Sequence, residues 1–284
     1  MEGRVNKAAR KRNSIILTVF LIFLMLLFLA PIVIVLLNSF KGKFFISTNP
    51  FDIPKGEMFV GITNYSRGLE LTNFFSAIGW SFFITVTSVI LIVIFTSMTA
   101  WFITRVKSKI TSMIYYLFVF SMIVPFQMVM YTMTDMSNKT HMNTPFGIQV
   151  LYLGFGAGLA TFMFCGFVKS IPLEIEEAAL IDGCSPVRTF FSIVLPILKP
   201  TVITVTILQT MWIWNDYLLP SLVLDSEKYR TIPIAVQYLR GGYGSVDMGA
   251  MMAMLVLAML PIIIFYLFCQ KYIIKGVVAG AVKG

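Results

Sequence analysis

Six apolar stretches dominate this chain, and each is long enough, at about 1.5 Å of rise per residue, to cross roughly 30 Å of hydrocarbon as a helix. They run over Ile15–Leu37, Ile78–Trp101, Ser112–Met133, Gly147–Val168, Thr201–Leu219 and Met248–Cys269. Asp216 is the single formal charge inside them. Backbone groups surrounded by lipid must satisfy one another, so the runs predict an all-α polytopic membrane protein with six transmembrane helices. Composition agrees, with 58% hydrophobic and 12% charged residues, too few charges to cover a soluble surface. The same figures exclude disordered, collagen-like and disulfide-scaffold classes. Net charge is +9, but the basic residues lie between the runs and read as juxtamembrane anchors rather than a nucleic-acid surface.

The segments between runs set an orientation. Residues 1–14, 102–111, 169–199 and 270–284 carry Lys and Arg at roughly twice the density of 38–77, 134–146 and 220–247. Both termini are therefore expected in the cytoplasm. This divides the chain into a basic N-terminus (1–14), a six-helix domain (15–269) and a tail (270–284). The first run spans 23 residues, longer than the about 7–15 of a signal-peptide core, and is read as a retained helix. Gly154 with Gly158, and Gly249 with Ala253, repeat the small-xxx-small spacing of packed membrane helices. Pro125 and Pro261 are expected to bend their helices.

Catalytic signatures are missing. There is one histidine, His141, in an expected outer turn, and the three cysteines form no metal-ligand spacing. The sequence holds no phosphate-binding G-x-x-x-x-G-K-[S/T], no G-x-S-x-G and no H-E-x-x-H. The chain reads as a non-enzyme with no metal and no cofactor of its own.

Loop 169–199 departs from the charge rule. Against Lys169, Arg188 and Lys199 it sets Glu174, Glu176, Glu177 and Asp182, whereas loops on this side of a membrane lean positive. Its residues also spell out helices. Pro172 and three carboxylates suit a helix N-terminus, Gly183 suits a left-handed stop, and Ser185-Pro186 suits the cap and first position of a second helix. Phe190, Phe191, Ile193 and Val194 make that second piece apolar. Two readings stand on the pattern: a hairpin that seals the bundle, or a docking element for a soluble partner.

Glu177-Ala178-Ala179, then Gly183, then Ile193-x-Leu195-Pro196 resembles the EAA loop of binding-protein-dependent ABC importer permeases. Trp214-Asn215-Asp216-Tyr217, Thr231-Ile232-Pro233 and the closing Gly276–Gly284 segment are similar to carbohydrate permeases of the maltose type, specifically the smaller, six-span member of the permease pair. The resemblance implies a type I ABC importer permease fold with cytoplasmic coupling helices, and a permease subunit of an ATP-driven importer of di- or oligosaccharides. Its partners would be a second homologous permease, two ATPase subunits holding ATP and Mg, an extracytoplasmic sugar-binding protein and the bilayer. Its place would be the inner membrane of a bacterial or archaeal cell. A permease for polyamine or phosphate, and more remotely a secondary transporter using Asp216, are the competing classes.

By the same resemblance, Glu177, Ala178, Ala179, Asp182 and Gly183 would meet the ATPase. The tail after Lys271 would reach between the ATPase subunits, and Gly276, Gly280 and Gly284 suit an extended, closely packed tail there. The loop Arg240, Gly241, Gly242, Tyr243, Gly244 would touch the docked binding protein. Gln127, Gln209, Trp212, Trp214, Asn215 and Asp216 are candidates for a polar, aromatic sugar pathway, because hydroxyls need hydrogen bonds and C–H faces stack on aromatic rings. A structural reading stands beside this one, with Trp214 in an aromatic belt and Asn215 or Asp216 capping a neighbouring helix.

Overall fold

A computed structural model describes residues 2–239 and 247–281, with side chains over 11–239 and 247–272. Every regular element in those residues is helical, apart from an isolated bridge between Lys41 and Phe59. The chain divides into two compact units, 1–72 with 236–259, and 73–235 with 260–284.

In the first unit, α1 (Glu2–Ser39) leads through α2 (Lys43–Thr48) to α3 (Thr63–Thr72). The apolar face of α1 is open all round, with Phe28 at 74% exposure, as expected of a helix whose solvent is lipid. The segment beyond α1 is tied by polar groups rather than by a core. The Lys41 side chain is fully buried, and its ammonium donates to the Asn49 carbonyl at 2.7 Å and the Pro50 carbonyl at 3.2 Å. Burial pushes that ammonium below its usual pKa, against the opposing pull of Asp52. Asn64 donates to the Ser39 and Lys41 carbonyls at 2.9 and 2.8 Å, closing α3 back onto the end of α1. Gly249 sits against the Asn64 side chain, Gly68 against Met254, and Arg67 pairs with Asp247 at 2.8 Å.

The second unit is a bundle. It comprises α4 (Phe74–Arg105), α5 (Lys109–Ser121), α6 (Phe126–Lys139), α7 (Pro145–Val168), α8 (Leu173–Ile181), α9 (Pro186–Thr189), a π-helical turn at Phe190–Val194, α10 (Leu195–Ile197), α11 (Lys199–Asn215) and α12 (Leu218–Val223). Two further helices straddle the units, α13 (Ile232–Tyr238) and α14 (Met248–Ala281). Ile92, Ala100, Tyr152, Ala160, Phe164, Val194, Val205 and Ile213 form the centre of its core. Lipid is as apolar as leucine, so close approach rather than dehydration holds such helices together. Gly158 provides it. A Cβ there would fall 2.7 Å from the Phe118 carbonyl and from Ser121 Oγ on α5. Its expected partner Gly154 faces open space, and Gly156, which the spacing rule passes over, packs against Ile92 and Gln209 instead.

Among the described residues, four helices are long and apolar enough to span a membrane, and two bent pairs bring the number to six if each pair is one span. The expected third run, Ser112–Met133, is one of those pairs. It breaks between Ser121 and Phe126 with a bend of 104°. Pro125 has no N–H to donate and bars the helical conformation at Val124, so the chain restarts as α6 from an extended Pro125 (ψ 137°). The fifth run also stops short. Its helix ends at Asn215 because Asp216 is extended (ψ 123°), and the pair with the preceding Pro186–Ile197 segment is bent by 78°. Pro261, by contrast, lies within the continuous α14. That helix runs on to Ala281, so the tail expected to be extended is helical through Gly276 and Gly280. Each glycine there costs about 1 kcal/mol relative to alanine.

Candidate coupling loop and polar cluster

Loop 169–199 folds as its residues predict. Pro172 caps α8 with Glu174 and Glu176 in the first turn. Gly183 carries φ of +78°, the left-handed elbow, and the Cys184 amide closes it by donating to the Ala179 carbonyl at 3.0 Å. Ser185 accepts from the Arg188 amide at 3.3 Å and Pro186 opens α9. The next five residues, Phe190–Val194, form a π-helical turn that buries Phe190 and Val194 in the core and leaves Phe191 half-exposed.

Two kinds of side chain line the loop. Glu177, Ala178, Asp182 and Gly183 face outward, and with them Leu180, Val187 and Ile181, the last at 86% exposure. Ala179 turns inward at 4% exposure, so of the two expected contact alanines only Ala178 is on the open face. The inward side is anchored by a residue the motif does not single out. Glu176 is buried, and its Oε1 accepts from Arg105 Nη2 at 2.7 Å and Nε at 3.0 Å, while its Oε2 accepts from Trp101 Nε1 at 2.9 Å. Arg105 Nη2 also donates to the Ile171 carbonyl at 2.9 Å, and the Trp101 ring tilts against Phe190 at 5.6 Å. Arg105 counted toward the charge balance of the sequence, but its partner is seventy-one positions away and no local spacing announces it.

The six pathway candidates separate. On α11, Trp212 and Asn215 share an open stripe with Leu208 and Met211, at the i, i+3, i+4, i+7 spacing of one helix face. Gln209 and Trp214 are buried on the other side. Gln209 donates to the Gly156 carbonyl at 3.3 Å, and its Oε1 has no partner among the described residues. Gln127 is exposed near the start of α6. Asp216 Oδ1 accepts from the Leu218 and Leu219 amides at 3.0 and 3.4 Å, capping α12, and its Oδ2 accepts from Tyr152 at 3.0 Å. The Tyr152 ring meets Trp212 edge-on at 5.5 Å, so Tyr152 joins two of the candidates. The loop Arg240, Gly241, Gly242, Tyr243, Gly244 lies outside the described residues, as does Gly284.

Residues 95–278 match the family described as binding-protein-dependent transport system inner membrane component. The chain belongs to that family. The match covers loop 169–199 with its π-turn and the Asp216 cluster together, and it sets the secondary-carrier reading aside. The chain is 42% identical to a probable starch degradation products transport system permease of Thermoanaerobacterium thermosulfurigenes, over 94% of this chain and 96% of that one. It is 33% identical to a multiple sugar-binding transport system permease of Streptococcus mutans, over 91% and 93%. A chain from the crystal structure of a bacterial ABC transporter that imports the acidic polysaccharide alginate shares the fold, with a TM-score of 0.75 at 20% identity over 91% of this chain and 95% of that one.

Proposed function

We infer that this chain is the membrane-spanning permease subunit of a binding-protein-dependent importer of oligosaccharides. The observation that carries the reading is the end-to-end similarity to permeases named for starch products and for multiple sugars, over a chain whose loop 169–199 presents an exposed apolar tip. Leu180, Ile181 and Val187 at a water-facing elbow are costly unless covered, and a soluble partner is the natural cover.

The elbow inserts into a cleft of an ATPase subunit. Glu177 and Asp182 offer carboxylates to a partner arginine, Ala178 permits close approach, and Gly183 sets the angle. The complete assembly contains a second homologous permease, two ATPases that hold ATP and Mg, and an external sugar-binding protein. This chain adds no catalytic residue to hydrolysis. The coupling loop and both termini face the cytoplasm, an orientation supported by the Lys and Arg asymmetry. Closure of the ATPases moves the loops as rigid bodies, and the paired permeases alternate between outward- and inward-open forms. The stripe of Trp212 and Asn215 faces the path of the sugar, with Tyr152 and Asp216 fixing the ring behind it.

Purification of the tagged chain from native membranes tests the assembly, followed by reconstitution and uptake of maltooligosaccharides. Recovery of a second permease, an ATPase and a binding protein with sugar-stimulated hydrolysis is expected. A homo-oligomer that moves solute without ATP would sink the reading.

A further inference from the structure

The loop and the bundle are joined covalently only at the ends of α7 and α11, across about thirty residues. Something else must fix the loop if a push at its elbow is to move the helices. The structure assigns that work to one turn of α4. Trp101 and Arg105, four residues apart and so on one face of the helix, hold three separated points of the loop: the Ile171 carbonyl at its entry, Glu176 in its first helix, and Phe190 in the π-helical turn after its second. We propose that Arg105, Trp101 and Glu176 are positioning residues for coupling, a latch that makes the ATPase-facing loop and α4 move as one body. The proposal rests on the reading of the elbow as the ATPase contact.

The chemistry of the latch suits a link under load. Both oxygens of the Glu176 carboxylate are engaged, one by two guanidinium nitrogens and one by the indole N–H. Charge-assisted, forked bonds of this kind fix direction as well as distance. Of the ion pairs among the described residues, this one has both side chains largely out of water, at 19% and 6% exposure, while each of the others has a partner at 65% or more. Burying two charges is costly, and apolar packing could seal the same contact at no such cost. What the pair supplies that packing does not is a single permitted orientation. The Ile171 bond and the Phe190 contact matter for the same reason: the loop cannot rotate about Glu176 without losing one of them. From α4 the path continues into the bundle, since α4 lies along α7 through the shared core, with Ala100 accepting from Cys165 at 3.7 Å.

The test uses the whole reconstituted transporter, with sugar uptake and ATP hydrolysis measured on the same vesicles at equal complex content. Arg105→Gln and Glu176→Gln are each expected to lower sugar moved per ATP about tenfold while hydrolysis continues. Combining them should be no worse than either alone, because two amides re-form a neutral bond. Trp101→Phe keeps the ring against Phe190 and deletes only the N–H, and is expected to lower the ratio about two- to threefold. Glu174→Gln, an exposed acid on the same helix, should leave it unchanged. Were a charge variant to assemble poorly, Trp101→Phe still decides. An unaltered ratio in it and in every latch variant that assembles overturns the proposal. A wild-type complex that hydrolyses ATP without moving sugar would instead overturn the importer reading itself, before any variant is compared.

Discussion

Asp216 shows how one intramembrane acid is accommodated. Its two oxygens serve different elements, Oδ1 the amides at the start of α12 and Oδ2 the hydroxyl of the fully buried Tyr152. Removing the carboxylate therefore orphans a buried hydroxyl and uncaps a helix together. Asp216→Ala is expected to cost about 1–3 kcal/mol for the hydroxyl and about 1 kcal/mol for the cap. Tyr152→Phe, which leaves the cap intact, should cost about half as much or less. Thermal unfolding in detergent, followed by size-exclusion of the fluorescent fusion, would rank them. Equal stability of Asp216→Ala and wild type would mean the cluster is not a fixed element of the fold. The sequence marked Asp216 as unusual by its charge alone, and left open whether it capped a helix or met sugar. Its geometry shows the cap, and Tyr152 became visible only through it.

Among the helices, two glycine contrasts separate packing from backbone strain. Gly158→Ala would drive a methyl into the Phe118 carbonyl and Ser121 Oγ, whereas Gly154→Ala meets nothing. The first should destabilise by about 1–3 kcal/mol and the second should be neutral or slightly favourable, a difference readable in the same unfolding assay. Gly183 fails for the other reason. A Cβ there has open space, so the cost of Gly183→Ala is the left-handed φ alone, about 1–2 kcal/mol, and it falls on the elbow rather than on the bundle. We expect Gly183→Pro, and Glu177→Lys on the outward face, to insert normally and to uncouple uptake from ATP hydrolysis. Normal uptake by both would remove the elbow from the coupling path. The helical grammar of this loop was legible because caps, prolines and glycine act locally. The break at Pro125 was legible as a bend but not in its size, since 104° depends on where α6 can pack after the chain restarts.

At the scale of the whole molecule, the proposed assembly predicts that one chain presents only part of a route. The open stripe on α11 and the bare elbow both face outward from the bundle, where a second permease and an ATPase would cover them. Purified and reconstituted alone, the chain is expected to move no sugar above the level of protein-free vesicles. Uptake should appear only when a second permease, the ATPase and the binding protein are supplied together. Transport by the isolated chain would contradict the half-pathway reading. This dependence follows from the proposed assembly, in which a second permease completes the route beside the open stripe of Trp212 and Asn215 on α11.

Sequence alone determined what depends on neighbours along the chain. The apolar runs are set by the thickness of a bilayer, the caps of the coupling loop by backbone conformation, and the family by a motif confined to one loop. Tertiary structure decided what depends on residues far apart. It turned Ala179 inward and Ala178 outward, exchanged Gly154 for Gly156 as a packing glycine, and carried α14 on to Ala281. It also joined Arg105 and Trp101 to a glutamate next to the one the motif names. Two adjacent carboxylates are equivalent in a sequence. On a helix they point about 100° apart, and only the position of α4 determines that Glu176 is the one held and Glu177 the one free to meet a partner.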